Sequence, residues 1–241
     1  MIHYHGTPIG GTRQDVARFL VGRHALVPFR RQDDIGPVIE NCQSFVLDNS
    51  AFSYWKNGET LDVNKYAIWV ESLARIPNLD WCLIPDVIDG DEETNRRMIL
   101  DWLERGIKIK SVPVWHLHES FDYLLWMMSI FDTVALGSSG KWATPNSISW
   151  WERMNEVMSM ICNHHGQPLV KLHGLRMLNP KIFTRIPFAS ADSTNAAVNC
   201  GSLDRFGIYK PATAAQRAAV IADRIESNNA AVVWRYTHAG T

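Results

Sequence analysis

Short apolar runs alternate along this chain with longer amphipathic segments, and the alternation repeats eight times. The runs at Ile2–Thr7, His24–Phe29, Ser44–Ser50, Asp80–Val87, Lys110–Leu117, Asp132–Gly137, Leu169–Leu175 and Phe188–Thr194 predict buried strands, because they are brief, apolar and bounded by turn-forming residues. Between them, apolar residues return at helical spacing. Val16, Phe19 and Leu20 mark a helix over Arg13–Val21. Asp62 caps a predicted helix over Asp62–Arg75, which must stop before Pro77. Asp91–Arg105 begins acidic and ends basic, as the helix macrodipole favours. Ser120–Ile130, Ser147–Cys162 and Pro211–Ser227 complete the long helices, and Pro37 and Pro180 each suit the first turn of a short one. Ala231–Tyr236 reads as one more extended segment, running along the outside.

Strand–helix alternation with short links implies parallel strands joined by crossover helices. Eight such units in 241 residues, without a linker, low-complexity stretch or repeat, predict an α/β fold: a single (β/α)8 TIM-barrel domain spanning residues 1–241. An open dinucleotide-binding sheet fits poorly. Gly6-Thr-Pro-Ile-Gly10-Gly11 has neither the spacing nor the following acid of that fingerprint. In a TIM barrel the functional groups sit at the C-terminal ends of the strands.

Those ends are rich in ionisable groups. The first carries His3 and His5, the third Asp48-Asn-Ser-Ala-Phe52, the fourth Pro85-Asp86-Val87, and the fifth Trp115-His116-Leu-His118. The sixth ends in Leu136-Gly137-Ser-Ser-Gly140, the seventh in Lys171-Leu-His173-Gly174, and the eighth in Phe188-Ala-Ser-Ala-Asp192-Ser193. Alternation puts Phe188, Ser190 and Asp192 on one face of the eighth strand. A carboxylate ending such an apolar strand costs free energy unless something pairs with it. A single Asp at a strand end more readily caps its own turn. Asp48, Asp86 and Asp192 on one rim instead predict a shared pocket, in which crowding and burial raise at least one pKa. By alternation Lys171 and His173 share a face and would offset part of that charge.

Charge narrows the partners. Lys+Arg 24 against Asp+Glu 25 leaves the chain nearly neutral, so any nucleic-acid contact must be a local patch. Lys141, Arg176, Arg30 and Arg31 are the candidate phosphate contacts, and for Arg30 and Arg31 a solvated surface role is an equal alternative. Tyr54, Trp55 and Trp142 are loop aromatics able to stack on a base. Cys42, Cys82, Cys162 and Cys200 form no CxxC pair, which suits a reducing compartment and predicts no zinc knot. The start Met1-Ile-His-Tyr-His enters a strand at once, without a signal peptide, and no apolar run is long enough for a bilayer. A cytoplasmic location, away from membranes, is the expectation.

Taken in order along the chain, these motifs resemble the tRNA-guanine transglycosylase superfamily over residues 44 to 200. Asp48-Asn-Ser-Ala-Phe52 is similar to its Asp-Ser-Gly-Gly-Phe stretch, Pro85-Asp86 to its base-recognising Asp, and Ala135-Leu-Gly137-Ser-Ser-Gly140 to its glycine-rich loop over the base. Ala191-Asp192-Ser193 lies where the family carries its nucleophilic Asp. Lys171-Leu-His-Gly-Leu-Arg176, followed by Ala-Asp-Ser-Thr194, resembles most closely the phage and bacterial DNA 7-deazaguanine transglycosylases. The resemblance implies a pentosyl transfer in a phage or bacterial host cell. Asp192 would attack C1′ of a deoxyguanosine and Asp48 would serve as acid and then base. Asp86 would read the guanine edge. Asn49, Phe52, His116, Gly137, Ser138, Ser139, His173 and Gly174 would line the base and sugar. The substrates implied are guanine in DNA or a nucleoside and a 7-deazaguanine base, with base flipping if the DNA is duplex. The chain departs from the tRNA enzymes in having only Cys200 after the nucleophile, so no zinc site is expected, and in carrying His116 where they carry glutamine. Being near neutral, it leaves room for a protein partner that supplies DNA binding.

Two other readings compete. His3 and His5 share one face, and with His116, His173 and Asp192 they suggest a metal-dependent barrel hydrolase. The sixth strand end, Leu136-Gly137, lacks the histidine which that pattern needs. The remaining reading is a barrel that binds a base or nucleic acid without catalysis.

Overall fold

The computed structural model describes residues 1–208 and 210–236. Its strands are β1 (Ile2–Gly6), β2 (His24–Pro28), β3 (Ser44–Asp48), β4 (Leu79–Leu83), β5 (Ser111–Val112), β6 (Val114–His116), β7 (Thr133–Gly137), β8 (Lys171–Gly174) and β9 (Ser190–Ser193). All pair in parallel, in the order β5-β4-β3-β2-β1-β9-β8-β7-β6. The nine segments are the eight expected strands, with the fifth divided at Pro113. Proline has no N–H to give a ladder, so pairing breaks there. Before the break β5 pairs with β4, and after it β6 pairs with β7, so one interrupted strand brings the two edges together. The Pro113 carbonyl still accepts from the Ala135 amide at 2.9 Å. The result is a nearly closed α/β barrel in one domain, TIM-barrel-like in design.

The helices are α1 (Arg13–Leu20), α2 (Ile35–Asn41), α3 (Ala51–Lys56), α4 (Val63–Leu73), α5 (Glu92–Glu104), α6 (Phe121–Ile130), α7 (Ile148–Ile161), α8 (Pro180–Phe183), α9 (Asn195–Asn199) and α10 (Ala214–Glu226). Several begin one residue later than the sequence pattern, because Asp62, Asp91, Ser120 and Ser147 are N-caps whose side chains accept from amides of the first turn. The segment Ala231–Tyr236 is not a strand. The Ala231 amide bonds the Phe183 carbonyl and the Trp234 amide the Gly166 carbonyl, and no ladder forms. Among the described residues no helix is long and apolar enough to cross a membrane.

Alternation along the strands divides the buried residues in two. Tyr4, Leu26, Val46, Trp81, Leu83, Val112, Val114 and Ala135 fill the barrel, while a larger apolar layer joins the sheet to the helices. The filled interior makes the barrel a platform whose chemistry can lie only at its ends. At the N-terminal end, Asp80 accepts hydrogen bonds from Tyr4 Oη (2.6 Å) and Ser44 Oγ, and His24 Nδ1 lies 2.8 Å from that serine. Asp80→Ala strands two largely buried donors. It is expected to cost about 2–4 kcal/mol, read as a lower denaturation midpoint at unchanged slope.

Candidate functional site

The opposite end holds the carboxylates. Asp48 closes β3, Asp192 lies within β9, and Asp86 follows β4. The three converge closely enough that the charges of Asp192 and Asp86 both act on Asp48. Burial first, then those two charges, push the Asp48 carboxyl up to about 7, against relief from the Ser50 amide and Arg176.

Each carboxylate has a different set of donors. Asp192 Oδ1 accepts from the Arg176 amide at 2.9 Å and lies 3.2 Å from His173 Nε2. Among the described residues no hydrogen bond engages its Oδ2. The Arg176 backbone sits at φ 59, which turns its amide onto the carboxylate and leaves its side chain exposed at the rim. Asp86 Oδ1 accepts from Asn49 Nδ2 at 2.7 Å, and Asp86 Oδ2 lies 3.0 Å from His116 Nε2. That last contact is at ion-pair distance without the alignment of a hydrogen bond, and neither atom has another partner. Among the described residues Asp48 Oδ2 accepts only from the Ser50 amide, at 3.2 Å, where a left-handed Ser50 turns the chain into α3.

Several residues expected to line the base instead support these acids. Asn49 is buried, and its amide is spent on Asp86, the Ile84 carbonyl and the Ala51 amide. His173 is fully buried against Trp81 and holds Asp192 and Ser190, so it lies below the rim. His116 is buried as well, with a carboxylate facing each ring nitrogen. Burial alone would lower its pKa, but Asp86 and Glu119 outweigh that and hold it up at about 10. Ser138 turns outward and accepts from Trp150 Nε1 at 2.9 Å. Ser139 pairs with His118 Nδ1 at 2.7 Å. Gly174 faces the helical layer, where an added Cβ would meet Met177 and Phe188 at 2.9–3.0 Å. Gly137 does end a strand at the rim, and its missing side chain leaves space beside His116 and Val114. Phe188 precedes β9 and packs in the outer layer, so it does not share the face of Ser190 and Asp192. Lys171 opens β8 at the far, exposed end and gives these acids no compensation.

The basic candidates separate in the same way. Arg30 pairs with Glu59 at 2.6 Å and Arg31 with Asp34 at 3.1 Å, so neither is an unpaired phosphate contact. Arg176 lies 4.2 Å over the exposed Phe52 ring, and Trp55 lies beside Phe52 at 5.7 Å. Lys141 covers Trp142 at 4.4 Å. Tyr54 packs under Arg30.

No protein-family model matches this sequence, and no curated protein is detectably similar to it.

The hydrolase histidines do not assemble. Tyr4 occupies the inward face of β1, so His3 and His5 point outward. His3 Nε2 lies 3.0 Å from the Asn228 carbonyl and His5 Nε2 lies 2.8 Å from Glu226, both beyond the sheet from Asp192. Among the described residues no group of three or more His, Cys, Asp or Glu is arranged to hold a metal ion. The residues missed from sequence are Glu119 and Asn95. Glu119 Oε2 accepts from the His116 amide at 2.7 Å, and Oε1 accepts from Asn95 Nδ2 at 3.0 Å. The available signal was an acid three residues beyond a strand-end histidine, just ahead of the Ser120 cap.

Proposed function

We propose that this barrel exchanges guanine in DNA, or in a nucleoside, for a 7-deazaguanine by retaining double displacement. The observation carrying this reading is the unequal treatment of three converging carboxylates. One is raised to about 7, and the other two are each fixed by two side-chain or backbone partners. A two-step exchange needs an ionised nucleophile and a group that is acid in one step and base in the next. Asp192, whose Oδ2 meets no hydrogen-bond donor among the described residues, attacks C1′ and forms a glycosyl ester as the C1′–N9 bond breaks. The protonated Asp48 carboxyl gives its proton to the departing guanine. The resulting Asp48 carboxylate takes a proton from the incoming base, whose nitrogen attacks C1′ and releases Asp192. Asp86, oriented by Asn49, accepts from the N–H edge of the base. Gly137 leaves room for a flat ring, and the Arg176–Phe52–Trp55 group offers an aromatic and cationic surface to a flipped nucleotide.

The test is incorporation. Guanine-containing DNA, free deoxyguanosine and RNA are each incubated with a labelled 7-deazaguanine base. Label entering DNA or nucleoside, with release of one guanine per label, is the expected outcome. Binding of the free base without any incorporation would favour a non-catalytic barrel.

A further inference from the structure

A buried polar chain runs beneath Asp86, from Asn95 on α5 through Glu119 and His116 to Asp86 and Asn49. We propose that Glu119 is a positioning residue. Through His116 it keeps a fixed positive charge under Asp86, so that the proton carried by the carboxylate cluster rests on Asp48 and not on Asp86. The proposal deepens the transglycosylase reading in one respect only, that Asp48 is the acid.

The geometry carries it. His116 Nδ1 lies 3.4 Å from Glu119 Oε1 and Nε2 lies 3.0 Å from Asp86 Oδ2. An imidazole with a carboxylate oxygen at ion-pair distance from each nitrogen is favoured with both nitrogens protonated. Glu119 in turn accepts from the His116 amide and from Asn95 Nδ2. The other groups around the ring do not supply its charge balance. His118 stacks at 5.7 Å, and its Nδ1 lies 2.7 Å from Ser139 Oγ. Tyr123, from α6, holds a buried hydroxyl without a partner, and its pKa is raised by burial first and then by Glu119. Arg153, from α7, donates to the Glu119 and Leu117 carbonyls and pairs with the Glu156 carboxylate at 2.9 Å, not with the Glu119 carboxylate. Hence, among the described residues, Asp86 faces an imidazolium and an amide, Asp192 the His173 ring and a backbone N–H, and Asp48 a single backbone N–H. The least-supported carboxylate takes the proton.

The test is the protonation state of the intact protein, which does not depend on substrate. Nitrogen-15 NMR of histidine-labelled protein, from about pH 5 to 9, is read with the His116 signals assigned by loss in His116→Gln. Both nitrogens of His116 should stay protonated to about pH 8 or above. In Glu119→Gln the ring should titrate at least about one pH unit lower, and carbon-13 signals should show the Asp48 midpoint falling as Asp86 takes up part of the proton. Glu119→Asp should restore part of the wild-type pattern. A neutral His116 at about pH 7 in the wild type would overturn the proposal without any variant having to fold. So would unchanged titrations in a folded Glu119→Gln. If these titrations appear as described but no base is exchanged, the charge assignment stands and the transglycosylase reading falls.

Discussion

Asp192→Ala is expected to abolish base exchange, with a loss of at least about 10⁴-fold in single-turnover rate, because the proposed glycosyl ester forms on Asp192. The variant also leaves the Arg176 amide and His173 Nε2 without their acceptor, at a cost of about 1–3 kcal/mol for each buried donor. Asp192→Asn is the cleaner change. It keeps the side chain's shape and an acceptor oxygen, while losing the nucleophile. Both substitutions remove one of the charges that act on Asp48. The Asp48 midpoint should therefore fall from about 7 in either variant. Lost exchange together with a lowered Asp48 midpoint, in a protein with unchanged circular dichroism, identifies a shared site. A lost rate with an unmoved midpoint would separate Asp192 from Asp48.

Asp48→Asn should inactivate the protein and stabilise it. Its carboxyl sits at about 7 in the folded protein, against an ordinary value of 3.8, with burial the first cause and its two carboxylate neighbours the next. The folded state therefore holds a proton that the unfolded chain has already released. Stability from this group is fully present below the unfolded value and is lost as pH rises through the folded one. The loss across that window is up to about 4 kcal/mol. An asparagine carries no such penalty. At about pH 8 the variant should unfold at higher denaturant than the wild type, and at about pH 4 the two should nearly coincide. Exchange should drop by about 10²–10⁴-fold, the usual contribution of one acid–base group. His116 contributes in a different window. Its folded value near 10 lies above its ordinary 6.5, so its stabilisation is fully present below about 6.5 and is lost as pH rises through about 10. A variant no more stable at the higher pH would show that Asp48 is ionised in the folded state at no cost.

The barrel was legible because its evidence is local and repeated. Each strand is a short apolar run and each long helix has a cap and an apolar face, so their bounds differ only at the ends, whereas the short helices α3 and α9 carry no such pattern. Pro113 was visible in the sequence, but that it would split a strand shared by two neighbours follows from pairing, which no single segment reveals. The acids were legible for a related reason: Asp48, Asp86 and Asp192 all fall at strand ends, and a barrel gathers those ends. The side of each strand was harder to read. His3 and His5 alternate correctly with Tyr4, yet which set faces inward depends on the tilt of the whole barrel. Gly174 and Ser138 were placed at the base by motif position, whereas their contacts lie in the helical layer. Asn49, His116 and His173 are legible as site residues, but the carboxylates they face are not. They hold carboxylates because a buried acid must be satisfied before it can serve a substrate. Glu119 escaped notice because it stands between a strand end and a helix cap, where an acid is unremarkable until its neighbours fold onto it.

The central claim is that one pocket forms an ester between Asp192 and a sugar. It is tested most directly by intact-protein mass spectrometry after mixing the protein with a guanine-containing oligodeoxynucleotide, with released guanine removed and no incoming base supplied. The account predicts a covalent DNA–protein species that maps to Asp192, is absent in Asp192→Asn, and disappears when a 7-deazaguanine base is added. Base exchange without any adduct, or an adduct mapping to Asp48 or Asp86, would contradict it.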